Sequence, residues 1–513
     1  MSDAPVTNVI LIHGYSETSL GAYYQMPELL AAAGFGVGTI VLSAFDSLDD
    51  HVTVDDLAAA LEERMQDLEA QHPGVLPAGA IVCHSTGALV ARRWLLNRFA
   101  KGRGIADQST VPQLPARLIT MAGANHGSSL AQIGKSPIGY LQKLIQDHQL
   151  TVGRRVLTDL DYGSDFLLRL NREWLAAWND AAYPLDQRVL AFSLGGDYQG
   201  SNPLMYLFWG TCELGSDNTV RMSAANLNYS IVDGDVATGA LTRTVPKRRI
   251  PHRIMPGYSH YDSQTGIMHA PDAGDAAFVH LLQALQTPAA DYDGLATAWD
   301  ADNAAWLAAN GPEGKPNTVK CNATVIFNVS DRSGTGVPDC MIAFWDQSLI
   351  ANPQGVGLHP LPATQPLKDL DPPAPETPAE LAFRQSVIAA TLASSNAILP
   401  NSPIQNDANS GSYSFYINQP DWRGPDSARK HTIYIEALSD SSYIGYTPVM
   451  YQTTGDDSMV VQPHECTYVF VTLDRDSDQM LYLYQWDAAF NLAARQAVVW
   501  RPFAPGNQVP KRP

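Results

Sequence analysis

Apolar and polar positions in the first 300 residues alternate between two periods. Short unbroken apolar runs recur at Val6–Ile12, Val37–Leu42, Ala80–Cys83 and Leu118–Met121, as strands buried on both faces require. Between them the apolar residues recur at helical spacing, in Ala22–Ala33, which stops at Gly34, and in Ala88–Phe99. In a further such segment Val54, Leu57, Leu61, Met65 and Leu68 fall on one helical face, and His72-Pro73-Gly74 ends it. Thr53 stands before it as an N-cap, with Asp55 and Asp56 in the first turn, where carboxylates meet the positive end of the helix dipole. Strand–helix alternation of this kind predicts an α/β domain, a mostly parallel sheet with helices on both faces.

The pattern changes near Asn322. Ala323–Val329, Met341–Trp345, Tyr413–Ile417, Thr432–Ala437, Thr467–Leu473 and Met480–Tyr484 are short, rich in β-branched and aromatic residues, and separated by turn residues such as Asp331-Arg332-Ser333-Gly334. Successive strands without helices between them predict an all-β, sandwich-like domain. A Pro-rich excursion, Asn352–Pro378, and a helix-like stretch, Ala379–Ser394, interrupt it. A chain of 513 residues exceeds what one core usually supports. The expected division is therefore 1–300 and 301–513, with the boundary between Pro288 and Pro316 and an insertion at about 129–216 in the first domain. No internal repeat is found.

Charge narrows the function. Thirty-three Lys and Arg against 52 Asp and Glu give a net charge of −19. Nucleic acid is excluded as a partner, since phosphates need a cationic footprint, and so is a polybasic grip on anionic lipid. No apolar run reaches the roughly 20 residues that cross a bilayer, and no basic region with a cleavage site precedes Val6, so neither a transmembrane helix nor a Sec signal peptide is expected. The five cysteines, Cys83, Cys212, Cys321, Cys340 and Cys466, lack C-x-x-C spacing. They are expected to be buried thiols, with a Cys321–Cys340 bridge allowed but not required. Neither metal nor cofactor is expected.

The chemistry concentrates at Cys83-His84-Ser85-Thr86-Gly87, between a strand and a helix. This is a G-x-S-x-G nucleophile elbow with cysteine in the first glycine place; a sharp turn there lifts the Ser85 hydroxyl toward the helix N-terminus. The first strand ends in His13-Gly14-Tyr15, from which a second oxyanion donor would come, so the amides of Tyr15 and Thr86 form the expected oxyanion hole. An orienting acid and a base should follow in the order Ser, Asp, His. Two aspartates compete for the acid. Asp197 follows the strand-like Arg188–Leu194, whereas Asp217 lies in Gly215-Ser216-Asp217-Asn218-Thr219-Val220, which resembles the N-D-G-x-V and S-D-G-x-V acid turns of bacterial lipases. His260, in Pro256-Gly257-Tyr258-Ser259-His260, leads as base over His252 and His269, which are expected to be surface or packing histidines; His269 falls in an expected helix start. His126, in an Ala122–Ser128 turn that resembles the A-x-x-x-H-G-S turn of the same lipases, precedes any acid and is expected to be structural.

Together His13-Gly14-Tyr15-Ser16, Phe45–Leu57 with Val52-Thr53-Val54-Asp55-Asp56, and the Cys83–Gly87 elbow resemble PlaB-type bacterial phospholipases A/lysophospholipases, whose elbow reads T-H-S-T-G. The resemblance covers roughly residues 6–125 and implies an α/β-hydrolase domain followed by a β-sandwich region. It implies Ser85 as nucleophile, Asp217 as acid and His260 as base, acting on acyl esters of phospholipids or lysophospholipids. It further implies a homo-oligomer, and a cytoplasmic or peripherally membrane-associated protein of a bacterium. A general carboxylesterase or triacylglycerol lipase is the alternative enzyme, an acyltransferase would use the same three residues, and a non-catalytic binding or assembly protein on a hydrolase scaffold is the alternative of another class. Ile138–Leu150 and the aromatic cluster Leu204–Trp209 are expected to form a lid over an acyl-chain pocket, or else a packed helical pair.

Overall fold

The computed structural model describes residues 5–15, 23–35, 40–43, 47–105, 111–128, 131, 152–198, 215–235, 240–310, 322–346, 404–418, 431–437, 446, 449–452 and 460–474. Ser16, Val37–Thr39, Phe45, Ile138–Leu150, Leu204–Trp209, Cys212, Cys321, the segment Asn352–Ser394 and the run Met480–Tyr484 lie outside the described residues. The chain divides into two compact units. The first takes Met1–Ser230, Thr244–Thr324 and Val461–Thr467, and the second Ile231–Arg243, Val325–Val460 and Tyr468–Pro513.

In chain order the elements are β1 (Asn8–Ile12), α1 (Met26–Ala32), β2 (Ile40–Ser43), α2 (Val54–Gln71), β3 (Gly79–His84), α3 (Gly87–Gly102) and β4 (Arg117–Met121). There follow α4 (Arg154–Leu160), α5 (Asp165–Trp178), β5 (Leu190–Gly196), α6 (Met222–Ala225), β6 (Tyr229–Asp235), β7 (Ala240–Thr244), β8 (His252–Met255), α7 (Ala276–Gln286) and α8 (Tyr292–Asn310). The first unit is built on a six-stranded sheet in the order β2-β1-β3-β4-β5-β8, with every pairing parallel. Val9, Leu11, Val82, Ile119 and Phe192 enter one core cluster with Met26 and Leu30 of α1, Phe278 and Leu281 of α7, and Trp299 of α8. The alternate residues Ile10, Ile81, Leu118 and Ala191 are equally buried, and α3 packs over β1 and β3. Burial on both faces explains why these strands read as continuous apolar runs.

The predicted cap of α2 forms as a reciprocal pair: Asp56 N–H donates to Thr53 Oγ1 at 3.2 Å, and Thr53 N–H donates to the Asp56 carboxylate at 2.9 Å. Arg98 of α3, almost wholly buried, ties the two helices by donating to Glu62 and Glu69 of α2 at 2.7 and 2.6 Å. Within residues 129–216 the described elements include α4 and α5, which pack on each other, and β5 of the main sheet. Ser164 caps α5, whose Leu167, Leu170, Trp174 and Trp178 are buried.

Among its described residues the second unit is all β. Its strands after β6 and β7 are β9 (Asn322–Asp331), β10 (Cys340–Asp346), β11 (Ile404–Gln405), β12 (Ser412–Asn418), β13 (His431–Ala437), β14 (Val449–Gln452) and β15 (Cys466–Leu473). They form a six-stranded sheet, β11-β12-β9-β15-β6-β7, and a three-stranded one, β10-β13-β14. Tyr451 of the smaller sheet rests against Gly234 of the larger, where a Cβ would stand 2.8 Å from the ring. The two sheets therefore touch at this point. Cys83 and Cys466 are buried free thiols and Cys340 is a partly buried one.

Candidate active site

The elbow forms at the carboxyl end of β3. Ser85 adopts φ 54°, a left-handed conformation that L-residues avoid. Its amide donates to the Met121 carbonyl, and its own carbonyl accepts from Ala88 and Ala124. These bonds over-determine the strained turn. A Cβ on Gly87 would lie 2.5 Å from the His13 carbonyl oxygen, so the helix passes β1 too closely for any side chain there. Cys83 meets no such limit. Its thiol lies against β4 and donates to the Ile119 carbonyl at 3.4 Å, which is why the first glycine of the motif is dispensable in this chain.

Ser85, His260 and Asp217 come together. The Ser85 hydroxyl and His260 Nε2 are 2.9 Å apart, and His260 Nδ1 and Asp217 Oδ2 are 2.9 Å apart. A carboxylate only accepts, so His260 carries its proton on Nδ1 and leaves Nε2 to accept from the serine. The other Asp217 oxygen accepts from the amides of Thr219 and Val220 at 3.0 and 2.7 Å. Asn218, at φ 80°, makes that turn possible. The main chain adds a further tie: His260 N–H donates to the Asp217 carbonyl at 2.9 Å. Ser128 donates to the Thr219 carbonyl at 2.5 Å and Asn125 to the Ala225 carbonyl at 2.8 Å. The Ala122–Ser128 turn thus supports the segment that carries Asp217.

The loop after β1 abuts Ser85. A Cβ on Gly14 would fall 2.7 Å from Ser85 Cβ, so only glycine fits. Tyr15 follows at once, and its hydroxyl donates to the Val152 carbonyl. Val152 and Arg154 in turn donate to the Asp50 carboxylate at 3.1 and 2.9 Å, and Gly153 donates to the Leu48 carbonyl at 2.9 Å. The Asp50 segment therefore holds the anchor on which the Tyr15 side chain rests. The Thr86 amide, at the N-terminus of α3, has no acceptor among the described residues.

The remaining candidates stand elsewhere. Asp197 accepts from the Gly257 amide at 2.6 Å, and Tyr198 N–H donates to the Tyr258 carbonyl at 3.0 Å. These bonds grip the turn that leads to His260 but leave its ring to Asp217. Burial, reinforced by neighbouring Asp217, pushes the Asp197 carboxyl up to about 6. His126 bonds the Asn226 carbonyl through Nε2 at 2.8 Å, and His252 pairs with Ser193 on the far edge of the sheet. His269 packs edge-on against Tyr24 at 4.8 Å. It lies in a turn rather than a helix start, because the helix begins only at Ala276. One contact escaped the sequence: His84 Nε2 lies 3.1 Å from the His260 carbonyl. Its only signal there was its place beside Ser85. No group of three His, Cys, Asp or Glu among the described residues is placed to hold a metal.

The alpha/beta hydrolase family model matches residues 9–273, just over half of the chain. The chain belongs to the alpha/beta hydrolase family. Its structure is similar to phospholipase PlaB from Legionella pneumophila, at TM-score 0.71 and 22% identity, over 95% of this chain and 97% of that one. The same phospholipase in complex with thio-NAD matches at TM-score 0.71 and 22% identity, over 99% of this alpha/beta hydrolase and 100% of that chain. Among curated proteins none matches.

Proposed function

We propose that the protein is a serine ester hydrolase that cleaves acyl esters of phospholipids and lysophospholipids. The observation that carries this reading is the hydrogen-bonded line from Ser85 through His260 to Asp217, at 2.9 Å for each step. Likeness in fold to a phospholipase over nearly the whole chain supports the substrate class.

In this mechanism His260, oriented by Asp217, takes the proton of Ser85 as the hydroxyl oxygen attacks the ester carbonyl. The negative charge that develops on the carbonyl oxygen is met by the amides of Tyr15 and Thr86, each donor lowering the barrier by about 3 kcal/mol. His260 returns the proton to the departing lysophospholipid or glycerophosphoryl alcohol. It then activates water, which releases the fatty acid from Ser85. Contact with a lipid surface would be apolar, since a net charge of −19 opposes a basic grip. Self-association belongs to the same reading, as does a catalytic domain over about 1–300.

The test is product analysis on mixed phospholipids and lysophospholipids beside tributyrin and short p-nitrophenyl esters, with Ser85→Ala as control. Fatty acid release from the phospholipids, lost in Ser85→Ala, is the expected result. Preference for tributyrin would make the protein a general lipase, and unchanged rates in Ser85→Ala would remove the serine mechanism. Failure of a fluorophosphonate to label Ser85 would leave only a binding role.

A further inference from the structure

His84 precedes the nucleophile in the chain and touches the base in space. Its ring stands 4.7 Å from that of His260, centroid to centroid, tilted by 38°. Its Nε2 is 3.1 Å from the His260 main-chain carbonyl oxygen. An oxygen lone pair needs a donor, so the proton of a neutral His84 ring sits on Nε2 and Nδ1 carries a lone pair. That Nδ1 is buried and has no partner among the described residues. It lies 3.4 Å from where a Cβ on Gly14 would be, against the loop that follows β1. The ring is thus wedged between the base and the loop that leads to Tyr15, one peptide away from Ser85.

We infer that His84 is a positioning residue, which sets the distance between His260 Nε2 and the Ser85 hydroxyl by holding the His260 carbonyl. This rests on the reading of Ser85 and His260 as nucleophile and base. Among the described residues three points tie down His260 besides the bond to serine: its amide on the Asp217 carbonyl, its Nδ1 on the Asp217 carboxylate, and its carbonyl on His84. The first two come from one residue, so they orient the ring about Asp217 without fixing it relative to β3. Only the third bond runs to the strand that carries the nucleophile. Burial, with His260 and His13 nearby, holds the His84 ring far below the ordinary imidazole range. The ring therefore stays an uncharged donor while His260 cycles between neutral and protonated. A second positive charge 4.7 Å from the imidazolium would oppose that cycle.

The distinguishing experiment compares three variants. The glutamine amide of His84→Gln reaches as far as Nε2 and can donate to the same carbonyl. The amide of His84→Asn is too short, and His84→Met has the length but no donor. His84→Gln is expected to stay within about 3-fold of the parent. Both other variants should lose about 30-fold in kcat with KM within about 2-fold, the size expected when a reacting pair is misplaced by a fraction of an ångström to an ångström. The rate of fluorophosphonate labelling of Ser85 should fall in parallel, since it needs the base but no lipid. Equal rates for the Gln, Asn and Met variants, whether all high or all low at unchanged melting temperature, would overturn the proposal. Neutron diffraction from the wild type tests it without any variant: a proton on Nδ1 and none on Nε2 of His84 would also overturn it. Ser85→Ala and Asp217→Asn separate this idea from the one beneath it. If they keep activity, the reading of Ser85 and His260 as nucleophile and base fails, whereas if they are inactive and His84→Met is not, only the role of His84 fails.

Discussion

Two serine–histidine pairs lie in the first unit at the same separation. Ser85 and His260 are 2.9 Å apart at the carboxyl edge of the parallel sheet, and Ser193 and His252 are 2.9 Å apart between β5 and β8. Their surroundings differ in three respects. His260 has Asp217 behind it, whereas His252 Nε2 has no partner among the described residues. Ser85 stands in a strained turn at a helix N-terminus, whereas Ser193 lies within a strand, fully buried, with the Leu227 amide donating to its oxygen. Finally, burial, together with His464 and Arg249, pulls the His252 ring down to about 3. A ring so resistant to protonation does not take a proton from serine near neutrality. A close serine–histidine bond is therefore not a mark of catalysis. In the mechanism proposed for Ser85, the carboxylate behind the ring and the backbone beneath the hydroxyl make the difference.

The largest effects should come from the first pair. Ser85→Ala and Asp217→Asn are expected to lower kcat for ester cleavage by about 10,000-fold or more, because members of such a relay act as a unit. Steady-state assays on phospholipid and p-nitrophenyl substrates measure this. Near-parent activity of Asp217→Asn together with loss in Asp197→Asn would move the acid to Asp197 and erase the contrast between the two pairs.

The His252 ring should show itself in acid rather than in activity. Its folded pKa, about 3, lies below the unfolded 6.5, so the unfolded chain binds the extra proton between those values. Stability from this group is complete above 6.5 and is lost as pH falls toward 3, by about 1.4 kcal/mol per pH unit. Urea unfolding of His252→Gln between pH 4 and 7 should show a slope flatter by that amount. An unchanged slope would mean that His252 is not held neutral in the fold.

Asp197 has the opposite sign. Its carboxyl titrates near 6 when folded and 3.8 when unfolded, so the native state is the tighter proton binder. Wild-type stability therefore declines as pH rises from about 4 through 6, and Asp197→Asn, which still accepts from Gly257, should be more stable at pH 8 by about 3 kcal/mol. Its activity should stay within about 3-fold. Chemical denaturation at pH 5 and pH 8 gives the comparison, and a destabilised Asn variant at pH 8 would show that the charged form is needed to hold the His260 turn.

Much of this site was legible in the sequence because its signals are local. Thr53 and Asp56 act within a turn of their own position, and the parallel strands declare themselves by uninterrupted apolar runs. The choice between Asp217 and Asp197 was only half legible. Both sit where an acid belongs, and only packing decides that the His260 ring faces one and the turn before it the other. The hold of His84 on His260 joins positions 176 apart, and that of Tyr15 on Val152 joins positions 137 apart; periodicity carries no information at such range. The same holds for β6 and β7, which pair into the second unit's sheet although they lie within the first 300 residues. A strand's pattern shows that it is buried but not which sheet buries it.

The smallest effect should be the most instructive, because Ser193→Ala removes the same hydroxyl as Ser85→Ala from a pair with the same spacing. Ser193 is wholly enclosed, and its oxygen serves His252 Nδ1 at 2.9 Å and, more weakly, the Leu227 amide at 3.4 Å. Deleting it leaves those groups without a partner in a place water does not readily reach, which costs about 1 to 2 kcal/mol of stability. Catalysis should be untouched, because nothing in the line from Ser85 to Asp217 bonds to Ser193 or His252. A melting temperature lowered by a few degrees with kcat within about 2-fold is the expected outcome. If Ser193→Ala instead lost activity as Ser85→Ala does while remaining folded, equal spacing would mean equal function after all. The carboxylate and the strained turn would then no longer be what separates a catalytic serine from a structural one.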